Sequence, residues 1–163
     1  MNQTEKELAK SETSKLADKY SDIVFDLIAS ITPAAQTRVE LFQTWIRKMT
    51  KQSARFTKYE RAAAIKVSTD LLLAIDRTQI NNKKQFDPRS RLNIDIDTNR
   101  TRHFEYFFNH LRTFERLLLL LSDKYDFSYN EIGTILGMPE DSVRLNLLMI
   151  YESLEYNIWR PGE

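Results

Sequence analysis

The 163-residue chain contains no cysteine. That absence removes disulfides, thiol nucleophiles and Cys-ligated metal sites together. Histidine is nearly absent as well. His103 and His110 are too few for a multi-histidine metal site, and without carboxylate or thiol support they read as structural or solvated groups. Three glycines leave no Gly-rich phosphate loop, and with four prolines they argue against an all-β chain of many tight turns. The longest apolar runs, such as Leu117–Leu121, are far too short to span a membrane. The first residues are polar and lack the apolar segment of a signal peptide. No paired carboxylates, nucleophile with base or metal cluster stands out. These absences lead to the expectation of a mostly helical, cytoplasmic protein that is not an enzyme, uses no cofactor and has no membrane contact.

Charge is present in abundance and is unevenly placed. The formal net charge is +1, but residues 1–40 carry five Lys/Arg against seven Asp/Glu, residues 41–102 fourteen against six, and residues 103–163 five against ten. A basic middle therefore lies between acidic ends.

Apolar residues recur at helical spacing through most of the chain. From Ser14, the residues Leu16, Tyr20, Ile23, Val24, Leu27, Ile28 and Ile31 fall three and four apart and line one face. Thr32-Pro33 punctuates the pattern, with Thr32 suited to cap and Pro33 to open a helix. That helix is expected to reach about Arg55, with Val39, Phe42, Ile46 (beside Trp45), Met49 and Phe56 as its apolar stripe. Thr57-Lys58-Tyr59-Glu60 has the form of a capping box. It predicts a third helix to about Asp76, burying Ala62, Ile65, Leu72, Leu73 and Ile75.

Residues 77–101 are polar, contain Asp87-Pro88 and keep no helical period. They read as a linker between two modules, because so long a loop is unusual inside one compact domain. Ile94 and Ile96 alternate there with Asp95 and Asp97, a pattern best read as solvated linker. The helical pattern returns from about Arg102. Phe104, Phe107, Phe108 and Phe114 have the spacing of core residues rather than of a ligand box. Ser128-Tyr129-Asn130-Glu131 forms a second capping box. It opens a short helix ending at Gly137, and Pro139 starts another to about Tyr156 with Val143, Leu147, Ile150 and Leu154 on one face. A short helix, a tight turn and a second helix make a helix-turn-helix unit.

Residues 111–154 resemble the C-terminal helix-turn-helix region of the extracytoplasmic-function class of bacterial sigma factors. The matching positions are Leu111, Glu115, Leu117–Leu119, Ser128, Tyr129, Glu131, Ile132, Ile135, Leu136, Gly137, Val143 and Leu147. Gly133 stands where the family has alanine, and either small residue is expected to let the two helices approach. Phe42-Gln43-Thr44-Trp45-Ile46-Arg47-Lys48-Met49 is similar to the aromatic F-x-x-W-L-x-x-I segment of the family's second region. The acidic D-A-E-D-x-x-Q-E stretch that precedes that segment in the family is absent here. The pattern predicts an all-α protein of two helical modules, 14–76 and 102–156, joined by the polar linker, and the resemblance implies that it binds RNA polymerase core and promoter DNA.

Two segments carry the candidate contacts. Residues 45–66 hold Arg47, Lys48, Lys51, Arg55, Lys58, Arg61 and Lys66 against the single acid Glu60, with Trp45, Phe56 and Tyr59 interleaved. Cations attract phosphates and aromatics stack on unpaired bases, so this segment suits a strand of opened DNA. In the second segment, Arg144 and Asn146 occupy positions where the resemblance implies DNA contact. Leu145, Leu148 and Met149 beside them offer the groove little beyond methyl contacts. Residues 139–156 carry one Arg against four acids, which repels a duplex. An apolar outer face on such a helix is expected to be covered by protein: the first module, a second copy or a regulatory partner. The alternative to promoter binding is therefore a degenerate sigma-like protein acting through protein contacts.

Overall fold

The computed structural model describes residues 3–52, 60–79 and 100–159, and all regular structure among them is helical. No helix among the described residues is long and apolar enough to cross a membrane. The chain forms two compact units. One comprises Met1–Thr78 with Thr134–Gly137, the other Gln79–Gly133 with Met138–Glu163.

The first unit holds α1 (Gln3–Ile31), α2 (Ala35–Gln52) and α3 (Glu60–Gln79), with α1 packed along α2. Of the expected stripe of α1, Tyr20, Val24, Leu27, Ile28 and Ile31 are buried and Ile23 is half-buried, while the side chain of Leu16 lies outside the described residues. The Thr32 N–H closes α1 on the Ile28 carbonyl at 2.8 Å, and the Ala34 carbonyl accepts the Arg38 N–H at 3.1 Å to open α2. The second helix thus begins later than Pro33, because Thr32 is still finishing the first.

The face of α2 also differs from expectation. Leu41, Trp45 and Met49 are buried, whereas Val39 and Ile46 are 45% and 37% exposed. Burying the indole, the largest apolar body on the helix, rolls the stripe away from those two aliphatic residues. Phe42 stacks on Trp45 with centroids 5.7 Å apart and meets Phe25 edge-on at 5.3 Å.

Helix α3 buries Ala62, Ala64, Ile65, Val67 and Leu72 together with Ser68 and Thr69, while Leu73 and Ile75 are half-buried. The two hydroxyls donate to the Ile65 and Lys66 carbonyls at 2.7 and 2.9 Å, so their burial leaves no orphaned donor. Glu60, in the first turn of α3, accepts hydrogen bonds from Lys19 Nζ and Tyr20 Oη, each at 2.9 Å on the same carboxylate oxygen. The capping box at Thr57–Glu60 and most of the 77–101 linker lie outside the described residues. At the linker's margins, residues 77–79 complete α3 and residues 100–101 begin the next helix.

The second unit begins with α4 (Arg100–His110) and α5 (Thr113–Leu119), the latter continuing as a π-helical turn over Leu120–Lys124. The break between α4 and α5 is not signalled by apolar periodicity. It is capped by Glu115, whose carboxylate accepts the Arg112 N–H at 2.8 Å. The π turn closes through Tyr125 N–H to the Leu120 carbonyl at 3.0 Å and Phe127 N–H to the Leu121 carbonyl at 2.9 Å. Asp126 between them has φ of 54°, a left-handed conformation that Asp tolerates better than most residues.

Next come α6 (Tyr129–Leu136) and α7 (Glu140–Trp159), and α7 packs on α4 and α5. The predicted capping box at the start of α6 is formed. Ser128 N–H donates to Glu131 Oε2 at 2.9 Å, and Glu131 N–H returns to Ser128 Oγ at 3.3 Å. Gly137 ends α6 with φ of 71°. The Pro139 carbonyl then accepts the Ser142 and Val143 N–H groups at 3.0 and 3.2 Å to open α7. Val143, Leu147 and Ile150 are buried as expected, and Leu154 is half-buried.

Gly133 has a stricter role than the sequence suggests. The Met138 N–H folds back to its carbonyl at 2.9 Å, and a Cβ on Gly133 would lie 2.6 Å from the Met138 carbonyl oxygen. Alanine is therefore not an equal substitute here. The clash is with backbone, which cannot rotate aside as a side chain can.

Three outcomes are expected. Gly133→Ala should destabilise the chain by about 1–3 kcal/mol through overpacking, despite alanine's ~1 kcal/mol advantage in helix propensity. Gly137→Ala, with nothing within 4 Å of its Cβ, should cost about 1–2 kcal/mol from its left-handed φ alone. Denaturant unfolding measures both. The third outcome concerns pH. Hydrogen bonds from Lys19 and Tyr20 hold the Glu60 carboxyl below its ordinary value. Its contribution is thus complete above the usual carboxylate range and is lost as pH falls through the lowered folded-state value. Glu60→Gln should flatten that acid limb in urea midpoints measured against pH.

Candidate functional site

Buried Leu41, Trp45 and Met49 recur every four residues, and this fixes which side chains of α2 face outward. Gln43, Arg47, Lys48 and Lys51 are exposed. Arg47 lies along its own helix, donating from Nη2 to Thr44 Oγ1 at 3.1 Å and from Nε to the Gln43 carbonyl at 3.4 Å. Among the described residues no ion pair engages Arg47, Lys48 or Lys51. Their positive charge is therefore not neutralised by a neighbouring acid there.

The rest of the basic segment is divided. Arg55, Lys58, Phe56 and Tyr59 lie outside the described residues. Arg61 is half-buried. Lys66 is paired with Asp70 at 3.2 Å, one turn away on α3. Trp45 corrects the expectation of a base-stacking platform. It is fully buried, and its indole N–H donates to the Ala64 carbonyl at 3.0 Å. A ring with no open face cannot stack on a base.

On α7 the buried residues again dictate the exposed ones. With Val143, Leu147 and Ile150 inside, Leu145, Leu148 and Met149 are 58%, 52% and 54% exposed. The polar groups beside them are already engaged. Arg144 pairs with Glu140 at 3.1 Å and sits 5.6 Å from the centre of the Tyr129 ring. Asn146 is half-buried and donates from Nδ2 to the Ser142 carbonyl at 2.7 Å, one turn back on its own helix. Tyr151 donates to Asp123 at 2.6 Å, tying α7 to the π turn. Burial, followed by the bond to Asp123, pushes the Tyr151 phenol up to about 12, so it stays neutral through the physiological range.

Among the described residues the aromatic cluster is only partly buried. Phe107 is buried, but Phe104 is exposed and stacks on Phe108 at 6.0 Å. The core reading therefore holds for Phe107 and not for Phe104. His110 Nδ1 lies 2.6 Å from the Tyr106 carbonyl, and the side chain of His103 is outside the described residues. Among the described residues no group of three or more His, Asp or Glu is placed to hold a metal.

Sequence reasoning missed the outward aliphatic pair Val39 and Ile46. The signal that could have found it is the four-residue recurrence Leu41–Trp45–Met49, which competes with the chosen stripe and includes the tryptophan. Core placement of Trp45 predicts that Trp45→Ala costs about 3–5 kcal/mol in denaturant unfolding. A surface stacking platform would instead lose nucleic-acid affinity with stability nearly unchanged.

Compared with known proteins, the chain matches no family model and no curated protein sequence.

Proposed function

We propose that the chain is a sigma-like transcription protein whose two modules divide the work unequally. The cationic row of α2, Arg47, Lys48 and Lys51, contacts the phosphates of opened promoter DNA. The α6–α7 unit is a helix-turn-helix in which α7 engages protein instead of reading the duplex. RNA polymerase core is the partner that the sigma resemblance implies.

The observation that carries this reading is the contrast between the two outer faces. On α2 three exposed cations have no acid engaging them among the described residues. On α7 the one cation is paired, the amide is turned onto its own backbone, and three large apolar side chains are exposed. A groove-reading helix needs the reverse, free donors and acceptors at the base edges. A second reading, protein contact alone with no DNA binding, draws on the same apolar face of α7.

A salt series with fluorescent single-stranded and duplex DNA separates the two readings. The single strand should bind more tightly, and its affinity should fall as salt rises. Replacing Arg47, Lys48 and Lys51 together by Ala should flatten the log–log salt slope by about 2, at ~0.7 per lost phosphate contact. No binding at low salt to either form would leave protein contact as the function. Co-elution with core polymerase tests the partner independently.

A further inference from the structure

Two helices of this chain present surfaces that complement each other. Helix α2 exposes Val39 and Ile46, two turns apart, and carries Arg38, Arg47, Lys48 and Lys51 against Glu40, a net +3. Helix α7 exposes Leu145, Leu148 and Met149 and carries Arg144 against Glu140, Asp141, Glu152 and Glu155, a net −3. Each helix exposes an apolar row, and the two helices carry net charges of opposite sign.

We propose that two copies of the chain associate through these surfaces, the α2 row of each copy covering the α7 row of the other. A reciprocal pair of this kind uses both surfaces of each copy and is two-fold symmetric, whereas the same head-to-tail contact left unclosed would build longer oligomers. Charge selects this arrangement. Pairing α7 with α7 would bring −3 against −3, and pairing α2 with α2 would bring +3 against +3, whereas α2 on α7 neutralises both. The apolar component is small, five partly exposed side chains, so the association is weak and depends on electrostatic attraction that salt screens. Taken with the proposed role of the α2 cations, it has a regulatory consequence. A dimer hides Arg47 and Lys51, so single-stranded DNA and self-association compete for one surface.

Sedimentation velocity across a protein concentration series, at low and at high salt, tests the dimer. Wild type should dimerise at low salt and dissociate roughly tenfold more readily at high salt. Two variants make the geometry testable. The first reverses the basic row (Arg47→Glu with Lys51→Glu), and the second reverses the acidic row (Glu152→Lys with Glu155→Lys). Each alone should be monomeric, since its two surfaces now repel. An equimolar mixture should dimerise, because both contacts are again between opposite charges. That rescue also excludes misfolding as the cause of dissociation.

Wild type that stays monomeric at low salt, or a mixture that stays monomeric, overturns the proposal. So does a dimer insensitive to both reversals. Binding of fluorescent single-stranded DNA to the second variant, which keeps every α2 cation, distinguishes the two proposals. A wild-type dimer that passes the mixing test without DNA binding sinks only the functional reading. DNA binding without a dimer sinks only the self-association.

Discussion

The hydrogen bond from the Trp45 indole to the Ala64 carbonyl joins α2 to α3 and constrains how α2 is rolled about its own axis. An indole is large and apolar with one polar edge, and burying it well requires a partner for that N–H. The carbonyl supplies it. With Trp45 turned inward, Leu41 and Met49 follow one turn on either side, and the outward face of α2 has little freedom left. Arg47, Lys48 and Lys51 then point to solvent, and Val39 and Ile46 are carried out with them. The cationic row and the aliphatic pair are two results of a single packing decision.

The same relation between inside and outside governs α7. Val143, Leu147 and Ile150 fill the core, so the opposite face is set by whichever residues remain. Those residues are Leu145, Leu148 and Met149, with acids at both ends of the helix. Burial of these three would remove apolar surface from water at about 25 cal/mol per Å². The polar side chains of α7 do not compete for that role, because Arg144 and Asn146 make bonds within the unit.

Much of the fold is legible in the sequence, and the legible parts share a cause. Apolar spacing at three and four residues located α1, and reciprocal Ser–Glu capping located the start of α6. Gly137 marked the end of α6 because positive φ is a glycine property. These signals are local, so one strand of sequence carries them whole. The misreadings arise where a choice depends on more than the neighbourhood. Val39, Phe42, Ile46 and Met49 form as good a stripe as Leu41, Trp45 and Met49, and only the position of α3 decides between them. The break at Leu111–Arg112 is hard to read because its cap pairs Glu115 with the backbone N–H of an arginine instead of a Ser or Thr. Of the candidate site, Leu145, Leu148 and Met149 were legible as an outward face, since the buried positions of α7 alternate cleanly with them. Trp45 was not, because an aromatic among cations looks the same in sequence whether it faces base or core.

The close approach at Gly133 bears on how this scaffold can be recombined. The turn after α6 is shaped by a carbonyl oxygen occupying the volume that any side chain at position 133 would claim. A turn and second helix transplanted from a protein with alanine at the matching place would bring a different backbone path across the junction. The exchangeable unit is therefore the segment from the Ser128 cap through the end of α7, taken whole. Swapping α7 alone would separate the helix from the one residue whose missing methyl group lets the chain turn as it does.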